Sequence, residues 1–202
     1  MRCRHCNVEW ENDWEWEYCP ACKRNYGGAV YPAKQTPQEL ADIETLIEII
    51  HQTFAGVMLE DGTTIHEADL EGAYLDEQVR LDSRAKDHET DWRDVPAWKV
   101  ERFFSALSFF DPKGWRFYLP VFMCWTMKNW RTSDCPTSDW TIWGFEPSGD
   151  WSLVRYGVLS DQQGRAVFEF LDFFRKYSSD PSPNRAIEVY WHRYEHVALG
   201  GE

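Results

Sequence analysis

Two short cysteine pairs at the amino terminus constrain this chain more than any other feature of its sequence. Cys3 and Cys6 form one Cys-x-x-Cys pair, and Cys19 and Cys22 form a second pair after an interval of twelve residues. Each pair presents two thiolates at a spacing that suits one tetrahedral metal ion. So short a segment buries too little surface to fold alone, whereas a structural zinc adds about 10–16 kcal/mol of apparent binding free energy. The pattern predicts one structural Zn²⁺ per chain, bound by these four cysteines.

The residues between the two cysteine pairs alternate between apolar and acidic side chains. The apolar members are Val8, Trp10, Trp14, Trp16 and Tyr18, and the acidic members are Glu9, Glu11, Glu15 and Glu17. This period of two predicts strands, and a three-residue loop over 11–13 would keep every ring on one face. Residues 1–26 thus resemble a zinc ribbon, and the rings of Trp10, Trp14 and Trp16 are candidate contacts for a partner.

The charged residues of the sequence indicate which classes of partner the chain can bind. Arg2, Arg4, Lys23 and Arg24 flank the cysteine pairs, where they either contact phosphate or offset the charge of the thiolates. The formal net charge of the whole chain is -13, whereas nucleic acids and anionic membranes attract an excess of Lys and Arg. The excess of acidic residues therefore disfavours binding to nucleic acids and to anionic membranes. It indicates either a basic protein partner or an acidic surface that only keeps the protein soluble.

No segment of the sequence indicates export or membrane insertion. The amino terminus lacks an apolar signal sequence, and the most apolar run, 115–127, is interrupted by Arg116 and Pro120 and is too short to span a bilayer. Paired cysteines of the metal-binding kind also indicate a reducing compartment. We therefore expect a cytoplasmic protein.

Beyond a linker over 27–36, the sequence predicts a mostly helical domain over 37–202. Capping signatures begin at Thr36, Thr64 and Ser160, each followed by Glu or Gln three residues later. The predicted helices cover 37–55, 64–76, 95–109, 117–129, 161–177 and 182–198. The segment 117–129 is apolar nearly all round, which predicts a buried central helix. The expected fold class is mainly α, with five to six helices and a small N-terminal β-hairpin zinc ribbon.

Two intervening segments are predicted to lack regular structure. Residues 77–94 are charged and poor in apolar side chains, so they predict an exposed loop. Residues 131–158 carry three tryptophans among Gly, Pro, Ser and Asp, which predicts irregular structure packed by rings. In the predicted helix 95–109, we expect Trp98, Phe103, Phe104 and Leu107 to face inward.

From about residue 40 onward, the chain resembles a bacterial family of unknown function. The blocks that carry the resemblance are Leu107-Ser108-Phe109-Phe110-Asp111, Arg116-Phe117-Tyr118-Leu119-Pro120, Leu159-Ser160-Asp161-Gln162-Gln163 and Phe170-Leu171. The resemblance implies a helical domain, but it implies no activity and no functional residues.

Several polar clusters are candidates for chemistry. The run His192-Arg193-Tyr194-Glu195-His196 matches the H-x-x-E-H pattern of zinc proteases, in which both histidines share a helix face. Around residue 66, the group is His66, Glu67, Asp69 and Glu71, and around residue 88, it is Asp87, His88, Glu89 and Asp91. These groups could hold a metal, but a solvated acidic face is the simpler interpretation. Arg116 and Arg131 flank the central helix and should pair with carboxylates or bind an anion.

The absence of a complete catalytic motif favours a binding function. We expect a non-enzymatic, zinc-containing protein-interaction module, such as an inhibitor or immunity-type protein, that binds a basic protein partner. Candidate contacts are Trp10, Trp14, Trp16, Asp87, Glu89 and Asp91. The alternatives are a zinc-dependent hydrolase that uses His192, Glu195 and His196, or a nucleic-acid-associated regulator that reads through the ribbon.

Overall fold

The computed structural model describes residues 35–70 and 76–199, and these ranges are mainly helical. The predicted zinc ribbon over 1–26 and most of the linker lie outside the described residues. Within them, the α-helices are α1 (Pro37–Thr53), α2 (Ile65–Ala68), α3 (Glu77–Arg84), α4 (Ala97–Arg102), α5 (Pro112–Asn129), α6 (Thr137–Trp143), α7 (Asp150–Tyr156), α8 (Asp161–Tyr177) and α9 (Ser182–Val189). Short 3₁₀ helices cover Trp92–Asp94, Ala106–Ser108 and Trp191–Tyr194. The mainly helical class is confirmed, although the helices are shorter and more numerous than expected.

Helix α5 lies at the centre of the domain. Its buried residues face every direction around the helix axis, and it contacts α1, α4, α6 and α7. The helix begins earlier than predicted, because Asp111 caps it by accepting a hydrogen bond from the Gly114 backbone N–H at 2.8 Å. Residues 111–114 therefore form the cap and first turn of this helix, with Pro112 in the favourable first position. Pro120 consequently lies in the helix interior.

Helix α8 covers one side of the domain and matches its predicted range. Ser160 accepts a hydrogen bond from the backbone of Gln163, whose side chain accepts one from the backbone of Ser160, both at 3.2 Å. This capping box fixes the start of the helix. The apolar stripe of this helix, which consists of Val167, Phe170, Leu171 and Phe174, is buried. Helix α8 packs against α1 and α9, so it joins the two ends of the described chain.

A buried ion pair fastens α1 to the end of α5. Thr36 caps α1 as predicted, by accepting a hydrogen bond from the Glu39 backbone at 3.1 Å. The Glu39 carboxylate, however, accepts hydrogen bonds from Arg131 Nε at 2.6 Å and Nη2 at 3.0 Å instead of closing a capping box. Arg131 also donates to the Tyr177 carbonyl and lies over the ring of Trp130. The predicted pairing of Arg131 with a carboxylate is confirmed, and it joins α1, α5 and the end of α8.

Two predictions of irregular structure are wrong for physical reasons. Residues 77–84 form α3, a polar helix that is capped by Asp76 and held by ion pairs from Arg80 and Arg84 to Glu67 on α2. Residues 131–158 contain α6 and α7, two helices of seven residues each. Helix α3 has no long apolar stripe, and ion pairs hold it in place. Helices α6 and α7 are too short to show such a stripe in the sequence.

Three helix boundaries also differ from the prediction. Helix α2 ends at Ala68 and α4 at Arg102. Because α4 turns Lys99 and Val100 inward, Trp98 is 53% exposed and does not face inward as expected. The last predicted helix ends at Val189, and a 3₁₀ helix continues the chain from Trp191.

The loop after α1 approaches the start of α5 at backbone distance. A Cβ atom at Gly62 would lie 2.5 Å from the backbone nitrogen of Gly114, and one at Gly114 would lie 2.4 Å from the carbonyl oxygen of Thr63. Asp111 joins the same two segments, since its Oδ1 also accepts a hydrogen bond from the Thr63 backbone at 2.8 Å. Two glycines therefore permit a contact that no side chain could enter.

We predict that Glu39→Ala lowers the free energy of unfolding by about 3–5 kcal/mol, because it leaves the buried Arg131 guanidinium without its counterion. Urea denaturation monitored by circular dichroism measures this loss. Glu44→Ala, on the exposed side of the same helix, is the matched control and should stay within about 0.5 kcal/mol of the parent. The double variant Glu39→Met/Arg131→Met should recover much of the loss, since it removes both charges. Equal stability of Glu39→Ala and Glu44→Ala would contradict a structural role for the pair.

Candidate functional site

A cleft between α6 and α7 combines exposed aromatic rings with a buried arginine. Its volume is about 240 Å³, which is slightly below the range of about 300–1,000 Å³ that is usual for small-molecule sites. The side chains that shape it include Ser108, Trp140, Trp143, Glu146, Trp151 and Arg155. We refer to this feature as the tryptophan cleft.

Three tryptophans form the walls of the tryptophan cleft. Trp140 and Trp143 lie three residues apart on one face of α6, with ring centroids separated by 6.4 Å. Trp151 comes from the first turn of α7. Trp143 is 47% and Trp151 53% exposed, whereas tryptophan is highly buried on average in folded proteins. The two short helices thus display rings that the core does not use.

Arg155 lines the same cleft and has no counterion within the described ranges. The residue is only 6% exposed, and its Nη1 donates a hydrogen bond to the Leu107 carbonyl at 2.6 Å. Its Nε is buried without a hydrogen-bond partner. Burial lowers the pKa of Arg155 from its usual value, although an arginine stays protonated near neutral pH. A buried cation without a carboxylate is costly, and it is therefore the clearest electrostatic anomaly of the described chain.

Glu146, the acidic residue that lines the cleft, pairs with another arginine. Glu146 accepts hydrogen bonds from Arg185 on α9 at 2.7 and 3.1 Å, and this pairing lowers the pKa of Glu146. Ser148 is occupied as well, since its hydroxyl lies 2.9 Å from the hydroxyl of Ser152. Neither side chain neutralises Arg155.

A second polar cluster lies where the loop after α3 meets α4, and it contains two of the predicted partner contacts. Lys99 Nζ donates to Asp87 at 2.7 Å and to Glu89 at 2.7 and 2.8 Å. Asp87 also accepts from the backbone N–H of His66 at 3.0 Å, and its Oδ1 lies 2.7 Å from the His66 ring. We call these four residues, His66, Asp87, Glu89 and Lys99, the charge quartet.

Opposing effects set the pKa values in the charge quartet. Burial alone raises the pKa of Asp87, but hydrogen bonds from Lys99 and His66 outweigh it and hold the pKa below its usual value. Burial alone lowers the pKa of Lys99, and the two carboxylates outweigh it and raise the pKa. The side chain of Asp87 is 1% exposed and that of Glu89 is 15% exposed. The charges therefore compensate one another internally, and Asp87 presents no carboxylate to a partner.

Other predicted acidic residues also have internal uses. Asp91 pairs with Arg93 next to it, and this contact lowers the pKa of Asp91 to about 2. Glu67 closes the capping box of α2 and pairs with Arg80 and Arg84. Glu71 lies outside the described residues. Among the residues that are described, no three His, Cys, Asp or Glu side chains are arranged to hold a metal ion.

The H-x-x-E-H run does not lie on an α-helix. Residues 191–194 form a 3₁₀ helix, and Glu195 and His196 follow in a turn. His192 and His196 therefore do not share the helix face that the protease pattern requires, and the ring of His192 instead lies 3.2 Å from the Ile187 carbonyl oxygen. Arg116, the other flanking arginine, bonds to the amide oxygen of Gln163 at 3.2 Å, not to a carboxylate.

Sequence reasoning missed Arg155 as a candidate. The signal was present, because Arg155 follows Leu153 and Val154 and precedes Tyr156, where one charged residue interrupts an apolar run. With residues 131–158 predicted as irregular, there was no helix on which to place that charge. Arg155 is buried in the folded protein, where α7 packs against α5.

Comparison with known proteins places most of this architecture in one family. The match covers residues 42–195 and is to a family of unknown function, DUF6714. The chain belongs to the DUF6714 family. The predicted resemblance to a family of unknown function is confirmed, and the DUF6714 region contains both the tryptophan cleft and the charge quartet but none of the four N-terminal cysteines.

Other comparisons add no further relatives. No curated protein and no solved structure matches the chain. Of the helices that the structure describes, none has the length and apolar character needed to cross a membrane.

We predict opposite outcomes for the two buried cations. Lys99→Met should lower the free energy of unfolding by about 3–5 kcal/mol, because Asp87 and Glu89 are then left without a counterion. Arg155→Met should stay within about 2 kcal/mol of the parent, because it removes an unpaired charge and leaves only the Leu107 carbonyl without a donor. Urea denaturation of both variants at neutral pH measures the difference. A loss for Arg155→Met as large as that for Lys99→Met would show that Arg155 has a strong internal partner.

Proposed function

We propose that this protein is a non-enzymatic binding module that captures a basic protein partner on its tryptophan cleft. The observation that carries the proposal is the exposure of Trp143 and Trp151 on adjacent short helices. Tryptophan is enriched among the residues that dominate binding energy at protein interfaces. On the same helix as Trp151, Leu153 and Val154 are also exposed, which extends the apolar surface.

Charge supports a basic partner. The chain carries 34 acidic and 21 basic residues, so the field of the whole protein attracts positively charged proteins and speeds their association. The cleft itself supplies apolar contact, and the surrounding charge supplies attraction over distance. Together these features favour a partner that is basic overall and that presents an apolar contact at its centre.

The N-terminal segment has a supporting role in the proposal. Cys3, Cys6, Cys19 and Cys22 bind one structural zinc, and the hairpin between them presents Trp10, Trp14 and Trp16 as a second contact surface. The support for this part is the spacing of the cysteines in the sequence.

Affinity capture with matched tryptophan variants tests the tryptophan cleft. The full chain is immobilised and exposed to extract of its own organism, and bound proteins are identified by mass spectrometry. Trp143→Ser/Trp151→Ser should lose a specific basic protein that the parent retains, because it removes the central apolar contacts. Trp98→Ser is the control, since Trp98 is as exposed as Trp151 but lies on α4.

Titration calorimetry with the purified partner then measures the effect. Affinity should fall by at least about tenfold in the cleft variant, by roughly the truncation cost of one hot-spot residue. It should remain within about twofold for Trp98→Ser. Capture of the same proteins by all three chains, or of acidic proteins alone, would refute the proposed function.

Metal analysis of the purified chain tests the zinc proposal. We predict about one zinc per chain, which Cys19→Ser abolishes and Cys135→Ser retains, since only the former removes one of the four paired cysteines. The thermal unfolding of the helical domain should change little in Cys19→Ser. Two zinc ions per chain, one of them lost in His192→Ala, would instead support the hydrolase alternative.

A further inference from the structure

The unpaired guanidinium of Arg155 carries a more specific inference about the tryptophan cleft. Arginine recognises carboxylates through two parallel N–H bonds, and this geometry is favoured where water is excluded. Nη1 of Arg155 donates to the Leu107 carbonyl, and the buried Nε has no acceptor among the described residues. A ligand would reach the guanidinium through the part of Arg155 that lines the cleft. A ligand that supplies one negative charge would complete this site.

The position of Arg155 relative to the rings narrows the ligand further. Arg155 lines the same cleft as Trp140, Trp143 and Trp151, so a group bound in this cleft can contact both the guanidinium and the indole rings. Indole faces favour planar or apolar groups. A fully hydrated ion such as inorganic phosphate would gain nothing from these walls, whereas a carboxylate attached to a ring or an apolar chain would use both features.

Two further observations fit an anionic group at this place. Glu146, the acidic residue of the cleft, is neutralised by Arg185, which reduces its repulsion of a bound carboxylate. The cavity of about 240 Å³ has room for one small ring with a short acidic arm, but not for a large cofactor.

We propose that the tryptophan cleft binds a carboxylate that is attached to a planar apolar group, with Arg155 as its counterion. This inference rests on the proposed function and names the chemistry that the same cleft recognises. The carboxylate comes either from a free small acid or from the partner protein, and even a basic protein has carboxylates at its acidic side chains and its C-terminus.

Phenylacetate and phenylacetamide provide a matched pair of probes. The two share the ring and the methylene group, and they differ in the head group, which is an anionic carboxylate in one and a neutral amide in the other. Titration of the ¹⁵N-labelled full chain, followed through the indole N–H signals of Trp140, Trp143 and Trp151, gives site-specific affinities. We expect phenylacetate to bind at least about tenfold more tightly than phenylacetamide, since a charge-assisted bond to Arg155 is lost in the amide.

Variants of Arg155 test whether this residue causes the preference for phenylacetate over phenylacetamide. Arg155→Met should remove the preference for the acid while it retains the folded spectrum, and Arg155→Lys should keep part of it because the charge remains. Arg193→Met is the control, because Arg193 is an exposed arginine that stacks on Tyr190 and does not line the cleft. Thermal stabilisation by phenylacetate should follow the same order.

Several outcomes would overturn the inference. Equal affinities for acid and amide, an unchanged preference in Arg155→Met, or no shift of the three indole signals would each show that Arg155 is not the counterion of a carboxylate bound in the tryptophan cleft. None of these results affects the capture experiment with Trp143→Ser/Trp151→Ser, so the proposed function and this inference fail separately. Once the preference is established, a tenfold loss of partner affinity in Arg155→Met places the carboxylate on the partner, whereas unchanged partner affinity identifies a free acid as the ligand.

Discussion

The fold depends on the need to cover one helix that is apolar on every side. Helix α5 buries residues all around its axis, so other elements must surround it to remove its apolar surface from water. Large rings do most of this work. Trp115 of α5 contacts Tyr156 of α7 at 5.5 Å and Phe145 at 6.4 Å between ring centroids, and Phe145 in turn contacts Trp191 at 5.6 Å. Because each ring fills much space, short helices with only a few inward side chains suffice as a cover.

Helices that are stabilised by interactions between residues close in the sequence were predicted correctly, whereas helices that depend on distant residues were not. Helix α8 combines a local capping box with a long apolar stripe, and both are visible in the continuous segment from Ser160 to Tyr177. Helix α3 has no such stripe, and its connection to the rest of the fold is an ion pair between Glu67 and Arg84, seventeen positions apart in the sequence. Helices α6 and α7 are held by burial against α5. Elements of this second kind cannot be predicted from their own residues, because their stability comes from tertiary contacts.

The same reasoning explains which parts of the candidate site were found. The tryptophans of segment 131–158 were noticed from composition, but their arrangement as cleft walls needed the helices. Asp87 and Glu89 looked like members of a solvated acidic surface, since nothing in the local sequence indicates that Lys99 folds back between them. Arg131 was expected to find a carboxylate, and Glu39, ninety-two positions away, could not have been chosen in advance. Charge identifies which residues need partners, and topology decides which partners they obtain.

The close approach of Gly62 and Gly114 has a consequence for how this family can diverge. An alanine at either position would force backbone atoms apart, and it would also disturb Asp111, which bonds to both segments. We therefore expect the path of the loop after α1 and the first turn of the central helix to change together in evolution. A family member that has acquired a side chain at one of these glycines should also show changes at the other segment, and such paired changes would mark a branch in which the loop takes a different route.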